Sequence, residues 1–241
     1  MKQYRSADGE ERVSFQNDEI ELMMEDELRS ASLMPTSDHP VVDVERFVEQ
    51  HLKAQLDQHA NLEANVLGMT EFNPRKPPRV SINADLTGSA LDDDDSAPGL
   101  RGRWRATVAH EAAHIILHRM LFELNPDQGT LIDAATTGSH PRLMRCLKPE
   151  VLFRSLASNW REVQANKGMA ALLMPRKMFS KVTRTQLAEL GSGTDIRAGS
   201  DQALLLAGRL AGRFDVSKQA ASIRLATLGF TTAASAQRLS T

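Results

Sequence analysis

The sequence predicts an α+β fold that is mainly helical and contains one small antiparallel sheet. From residue 103 onward apolar side chains recur mostly with the helical period, whereas segments 66–72 and 79–83 have the character of short strands. Hydrophobic residues make up 41% of the chain and charged residues 25%, which are ordinary proportions for a globular protein. Its 241 residues suffice to bury a core without disulfides or metal ions.

Two helices and a linker are predicted before the first strand. Apolar residues recur at helical spacing between Asn17 and Ser30 in a strongly acidic stretch, which predicts a short amphipathic helix. Residues 34–40 contain two prolines among polar side chains and are expected to form a linker. Asp43 is a candidate N-cap of a second helix, whose apolar stripe continues to Leu56.

The two strands should pair antiparallel, with Pro77 and Pro78 in the connection because proline cannot donate a hydrogen bond to a sheet. Residues 84–102 are expected to form a loop that carries the acidic run Asp92–Asp95, which we interpret as solvated rather than as a cation site. The remaining helices are predicted at 103–121, 147–173, 176–190, 201–213 and 217–228.

Charge and cysteine content exclude several classes of protein. Lys and Arg total 29 against 31 for Asp and Glu, so no overall basic field favours nucleic acid or anionic membranes. The single cysteine, Cys146, excludes a disulfide framework, and we interpret it as a buried or idle side chain rather than a reactive thiol or an additional metal ligand in a loop. The first residues are charged, and every apolar run is far shorter than the roughly 20 residues of a membrane span. We therefore expect a soluble cytoplasmic protein.

The stretch from Thr107 to His118 carries the residues most informative about chemistry. It contains the pattern H-E-x-x-H, formed by His110, Glu111 and His114, in a segment of helical character. Four residues along a helix advance about 6 Å and return to within about 40° of the same face, so both imidazoles can bind one Zn²⁺ ion. Glu111 lies beside them, where its carboxylate can take a proton from water at the ion without occupying a ligand position.

A catalytic zinc ion normally has three protein ligands, and two residues are candidates for the third position. His118 follows His110 by eight residues, which displaces it about 80° around and about 12 Å along a continuous helix, too far for the same ion. Glu162 lies on a later predicted helix rich in small and apolar residues, which could cross the first and bring the carboxylate to the metal. The sequence favours Glu162 as the third ligand, and the alternative is that its carboxylate is solvated. His118 is expected to hydrogen-bond the helix C-terminus or a group next to the ligands.

Two motifs together resemble the ImmA/IrrE family of metallo-endopeptidases. The first, from Arg103 to His118, is similar to the family's R-x-T-x-A-H-E-x-x-H-x-x-L-H. The second, from Glu162 to Pro175, is similar to E-x-x-A-N-x-F-A-x-x-L-L-M-P. A weaker similarity covers 214–230, and the resemblance extends over most of the chain.

The resemblance implies a zincin-like peptidase fold, in which His110, His114 and Glu162 are the zinc ligands and Glu111 is the general base. It also implies a substrate, because family members typically cleave a helix-turn-helix transcriptional repressor. Such cleavage relieves repression in stress responses or in the induction of mobile elements.

The chain departs from the family's pattern at two positions, neither of which is a ligand. Ala113 stands where the family usually has glycine, and its methyl group is expected to alter how closely another element packs. Met169 replaces a phenylalanine, a tolerable exchange in an adaptable core. The resemblance thus implies activity but does not identify the substrate.

Three regions are expected along the chain. Residues 1–40 form an acidic N-terminal extension with a short helix and a linker, and residues 41–195 form the zinc peptidase domain. Residues 196–241 form a helix-turn-helix-like C-terminal helix pair and tail, packed on the peptidase domain. The oligomeric state is not predicted.

A non-catalytic function is the alternative, namely a metal-binding regulatory module that binds a repressor or DNA. The segment from Asp201 to Leu228 could form a helix-turn-helix with Ser217 as a cap. DNA readers usually place several cations at the start of the recognition helix, whereas this helix begins with the single cation Lys218. We therefore interpret the pair as helices that close the core or dock a repressor.

Overall fold

The computed structural model of the protein describes residues 2–5, 11–73, 76–91, 98–123, 142–147, 160–191 and 196–232. Within these ranges the chain has the α+β architecture that the sequence predicts, with helices as the dominant elements and a small sheet. None of the helices described there combines the length and the apolar character that crossing a membrane requires.

In chain order the strands are β1 (Lys2–Arg5), β2 (Glu11–Ser14), β3 (Gln55–Ala60), β4 (Val66–Asn73), β5 (Lys76–Asn83), β6 (Arg142–Leu147), β7 (Ile196–Arg197) and β8 (Thr231–Thr232). The helices are α1 (Asn17–Ser30), α2 (Val44–Arg46), α3 (Ala84–Leu91), α4 (Pro98–Glu123), α5 (Trp160–Leu173), α6 (Arg176–Glu189), α7 (Asp201–Phe214) and α8 (Lys218–Thr227). A π-helical turn, Phe47–His51, continues α2.

The central sheet is mixed, so the prediction of an antiparallel sheet is only partly correct. Its strand order is β3-β5-β4-β6, and β4 runs antiparallel to both β5 and β6. β3 pairs in parallel with β5, with Gln55 opposite Arg79 and Leu56 opposite Val80. The parallel pair arises because β3 lies beside the second strand of the β4–β5 hairpin and not beside β4, which follows it in sequence.

Pro77 and Pro78 lie inside β5 and not in the connection where the sequence predicts them. The β4–β5 register shifts between Glu71 and Asn73, which face this part of β5, and the β3–β5 ladder begins only at Arg79. The prolines therefore occupy an irregular strand start, where the ladder is interrupted and their missing N–H groups matter least.

Two further predicted boundaries are wrong. The helix capped by Asp43 ends with the π-helical turn, and Leu56 belongs to β3. The predicted loop at 84–102 contains α3 and the beginning of α4, whose first residue, Pro98, occupies a position where a helix tolerates proline. The acidic run Asp92–Asp95 lies outside the described residues.

Cys146 lies in β6, a strand at the edge of the sheet that the sequence does not predict, and pairs with Gly68 of β4. The helix predicted over 147–173 is described from Trp160 onward, as α5. Residues 148–159 lie outside the described part of the chain.

Helix α4 lies at the centre of the molecule. It packs against β4, β5 and β6 on one side and against α5 on another, and α1 packs in turn on α5. Its residues Val108, Ala109, Ala113 and Leu117 are fully buried, and a single apolar cluster joins α1, the sheet, α4, α5 and the C-terminal helices. The segment with the H-E-x-x-H pattern is therefore enclosed between the sheet and α5.

Candidate metal centre

Helix α4 places His110 and His114 side by side on a buried face. Their Nε2 atoms lie 3.0 Å apart, and their rings meet nearly edge to face with the planes at 78°. The two side chains are only 2% and 0% exposed. Because the helix is continuous from Pro98 to Glu123, the spacing of four residues brings both imidazoles to one place.

Helix α5 brings the carboxylate of Glu162 to these two imidazoles. Its Oε2 lies 3.1 Å from His110 Nε2, and its Oε1 lies 3.3 Å from His114 Nε2. Each of these residues offers one ligand atom, the atoms lie within 4.8 Å of one another, and all of the residues are buried. Glu162 is thus no solvated helix carboxylate, and the group could hold a metal ion.

The protonation states of His110, His114 and Glu162 depend on one another. Burial lowers the pKa of His114 to about 4, although its hydrogen bond with Glu162 acts in the opposite direction. Burial also opposes the charge of His110, but the hydrogen bond with Glu162 and the nearby carboxylates outweigh it and raise the pKa of His110. Burial disfavours the Glu162 carboxylate as well, yet its contacts with the imidazoles of His110 and His114 lower its pKa well below the usual range. Without a metal ion, the group therefore favours a proton on His110 over one on His114 or Glu162.

The side chain of Glu111 extends from α4 towards the sheet. The hydroxyl of Thr70, on β4, donates a hydrogen bond of 2.6 Å to Glu111 Oε2. Among the described residues Glu111 Oε1 has no hydrogen-bond partner, although the side chain is completely buried. Burial raises the pKa of Glu111 to about 7. One oxygen is thus held in place while the other remains free to exchange a proton.

Both imidazoles have a partner on the ring nitrogen that faces away from the group. His110 Nδ1 donates to Asn166 Oδ1 over 3.2 Å, and His114 Nδ1 lies 3.0 Å from His118 Nδ1. Gln164 Oε1 lies 3.3 Å from the other ring nitrogen of His118. Burial lowers the pKa of His118 well below its usual value, so this ring is neutral at neutral pH.

The structure also shows what His118 does. Its Nδ1 is directed to the outer nitrogen of His114 and not to the group formed with Glu162, in agreement with the hydrogen-bonding role inferred from the sequence. Three other contributors were not identified from sequence: Thr70, Gln164 and Asn166. Of these only Asn166 has a recognisable signal, because it follows Glu162 by one helical turn and shares its face.

The C-terminal helix pair has few free cations for DNA. Helix α8 contains Lys218 and Arg224, and Arg224 is 2% exposed and hydrogen-bonded to Glu21 of α1. Ser217 caps α8 as predicted, since its Oγ accepts a hydrogen bond from Ala220 N over 3.1 Å. The second helix thus presents a single exposed cation, which is weak support for a DNA reader.

No protein-family model, curated protein or solved structure matches this chain. The ImmA/IrrE resemblance therefore remains a prediction from the sequence motifs. Independent of any relative, the structure contains a buried His110–His114–Glu162 group that could hold a metal ion, with the Glu111 carboxylate on the same helix.

Proposed function

We propose that this protein is a zinc-dependent endopeptidase of the ImmA/IrrE type. The observation that carries the proposal is the convergence of His110, His114 and Glu162, whose ligand atoms lie within 4.8 Å of one another. They come from two helices separated by many residues, so their meeting is a property of the fold and not of the local sequence.

The donor atoms suit zinc in spacing and in kind. Two zinc bonds of about 2.0–2.1 Å at a tetrahedral angle separate their donor atoms by about 3.3 Å. The separations here are 3.0, 3.1 and 3.3 Å. Two imidazoles and one carboxylate are the composition of catalytic sites that keep a position open, whereas structural zinc sites favour four ligands that include cysteine.

In the proposed reaction Glu111 is the general base. When bound, zinc supplies a Lewis acid that polarises a peptide carbonyl and makes nearby water more acidic. Glu111 takes a proton from the attacking water through Oε1 and returns it to the leaving amine, as the new C–O bond forms and the peptide C–N bond breaks. Thr70 holds the other oxygen, which keeps the carboxylate in one orientation.

The Glu111→Gln substitution tests this mechanism. It should lower peptide cleavage at least about 100-fold, because general acid–base catalysis contributes at least this much. Zinc content should be unchanged, since Glu111 is not among the grouped ligand atoms. Glu49→Gln is the matched control on an exposed position and should leave both properties unaltered. A fully active Glu111→Gln protein would exclude the mechanism.

The substrate we propose is a helix-turn-helix transcriptional repressor, which the family resemblance implies. The direct test incubates the protein with a helix-turn-helix repressor, with and without a chelator, followed by mass spectrometry of the products. Chelator-sensitive fragments are expected. A stable complex with an intact repressor would instead favour the non-catalytic regulatory module. Gel shifts with duplex DNA over a salt series would then separate repressor binding from DNA binding.

A further inference from the structure

The buried side chains of His114, His118 and Gln164 form a line of hydrogen bonds that leads away from the candidate metal centre. His114 Nδ1 lies 3.0 Å from His118 Nδ1, and His118 Nε2 lies 3.3 Å from Gln164 Oε1. Both histidines are 0% exposed, and Trp160 packs edge to face against the His118 ring with centroids 5.5 Å apart. Packing therefore fixes the orientation of the His118 ring, and solvent does not reach it.

Hydrogen-bond chemistry decides which side chain of this line donates and which accepts. A hydrogen bond between two Nδ1 atoms needs one proton, so one ring donates and the other accepts. Because the Gln164 carbonyl oxygen can only accept, His118 carries its proton on Nε2 and leaves Nδ1 as an acceptor. His114 must then carry its proton on Nδ1, which leaves the lone pair of Nε2 directed to His110 and Glu162.

If the hydrogen bonds ran in the reverse order, His114 could not bind a metal ion. If the Gln164 amide presented its NH₂ group, His118 would hold its proton on Nδ1 and donate it to His114. The proton of neutral His114 would then lie on Nε2, the nitrogen that faces His110 and Glu162. An imidazole nitrogen that carries a proton has no lone pair for a metal ion. The orientation of one amide on α5 thus decides whether His114 can bind.

We propose that His118 and Gln164 are positioning residues that hold His114 in the tautomer that binds metal. This inference rests on the proposed metal site and gives a role to the third histidine of α4, which the ligand group does not use. His110 has its own outer partner, Asn166, so a change at His118 acts on one of the two imidazoles.

Two substitutions at His118 separate positioning from packing. His118→Phe keeps a ring against Trp160 but removes the acceptor, and it should weaken zinc binding by about 10–100-fold, the usual effect of losing an outer partner. His118→Asn supplies a carbonyl oxygen in place of Nδ1 and should retain most of the affinity. At Gln164 the corresponding pair is Gln164→Met, which removes the acceptor, and Gln164→Glu, which keeps it.

Zinc affinity is measured by competition with a chromophoric chelator, and folding of each variant is verified by thermal unfolding. The tautomer is read in the zinc-free protein from long-range ¹H–¹⁵N NMR correlations of the imidazole nitrogens. The wild type and His118→Asn should show His114 protonated on Nδ1, whereas His118→Phe should show a mixture of tautomers.

Each outcome bears on one of the two proposals. Equal zinc affinity in the wild type and His118→Phe would overturn the positioning role, as would equal losses in His118→Phe and His118→Asn. If the wild type itself binds no zinc, the proposed function fails. The NMR tautomer of His114 then still decides whether His118 and Gln164 set the position of its proton.

Discussion

The position of the Glu111 carboxylate depends on a residue that has no side chain. Gly68 lies on β4 opposite this part of α4, and a Cβ added there would lie 2.9 Å from Glu111 Oε1 and 2.7 Å from Thr107 Cγ2. Both distances are shorter than non-bonded contacts allow. The carboxylate can thus lie beside β4, within reach of the Thr70 hydroxyl, only because residue 68 is glycine.

Gly68→Ala should therefore displace Glu111. We expect a loss of stability of about 1–3 kcal/mol from overpacking, together with slower peptide cleavage. The matched control is Gly88→Ala in α3, where an added Cβ meets nothing within 4 Å. That exchange should be neutral or stabilise by roughly 0.5–1 kcal/mol. Urea unfolding and a peptidase assay measure both effects, and an unperturbed Gly68→Ala protein would show that the contact is not restrictive.

Zinc binding should release a proton from His110 at pH values below its raised pKa. The raised pKa of His110 means that, without metal, this imidazole tends to hold a proton that a metal ligand must lose. Apparent zinc affinity should therefore rise as pH increases through the pKa of His110 and fall as pH decreases. Calorimetric titrations in two buffers of different ionisation enthalpy measure the protons released. Identical binding heats in both buffers would contradict the expectation.

Individual residues of the centre differ in how far sequence can predict them. His110 and His114 follow from helical spacing alone, since four residues return to the same face. Glu162 needed the further argument that a buried carboxylate requires a partner. Thr70 and Gln164 could not be found in this way, because a hydroxyl on a strand and an amide on a helix have many equivalent uses and only the packing of the elements selects one.

At the scale of elements, α4 and α5 approach closely through a pair of small residues. A Cβ added at Gly168 would lie 2.7 Å from the Cβ of Ala113 and 3.1 Å from Met24 Cε. The sequence draws attention to Ala113 because the family motif that it resembles usually has glycine there. The structure places the compensating glycine on α5, so the methyl group of Ala113 is accommodated by the absence of one at position 168.

Gly168→Ala should force the two helices apart. Because the displacement separates α5, which carries Glu162, from α4, we expect a destabilisation of about 1–3 kcal/mol and weaker zinc binding. Gly212→Ala on α7 is the control, since nothing lies within 4 Å of its added Cβ. Both variants are compared by urea unfolding and by zinc competition. A Gly168→Ala protein with unchanged zinc affinity would show that the close approach does not position Glu162.

Elements with a clear periodic signal were predicted better than those defined by pairing. The amphipathic pattern of α1 fixed its bounds at Asn17–Ser30, and periodicity also located α6, α7 and α8. The parallel placement of β3 and the strand β6 were missed, because partners in a sheet are chosen by contacts between residues distant in sequence. Leu56 shows the difficulty, since its spacing fits a helix while its neighbours in space make it a strand residue.

At the scale of the whole molecule, the N-terminal helix belongs to the same core as the site. Ile20, Met24 and Leu28 of α1 are at most 1% exposed and form part of the single apolar cluster. Arg224 of α8 donates to both carboxylate oxygens of Glu21, with a separation of 2.7 Å for Nη2 and Oε2. The sequence predicts residues 1–40 as an N-terminal extension, and α1 within them is structurally integrated with the rest of the described chain.

The Arg224 guanidinium also joins these helices to the end of α5. It donates to the carbonyl oxygen of Met174, which follows the last residue of α5, over 2.8 and 3.1 Å. One side chain thus connects α1, α5 and α8, with Arg224 only 2% and Glu21 only 8% exposed. Glu162 lies at the opposite end of α5, about 18 Å away along the helix axis.

The Arg224–Glu21 contact should therefore stabilise the fold without affecting the candidate metal centre, and Arg224→Met tests this expectation. Removing the guanidinium leaves the buried Glu21 carboxylate with only the more distant Arg176 guanidinium, 3.9 Å away, which should cost up to about 3–5 kcal/mol of unfolding free energy. Arg209→Met is the control, because Arg209 pairs with Glu189 at 3.7 Å, away from Glu21, and is 42% exposed. Such an exposed pair contributes about 0–1 kcal/mol.

Since Glu162 is remote from Arg224, the folded Arg224→Met protein should bind zinc with unchanged affinity. Equal urea midpoints for the two variants would refute the structural role, and a parallel loss of zinc affinity would show that the two ends of α5 are coupled.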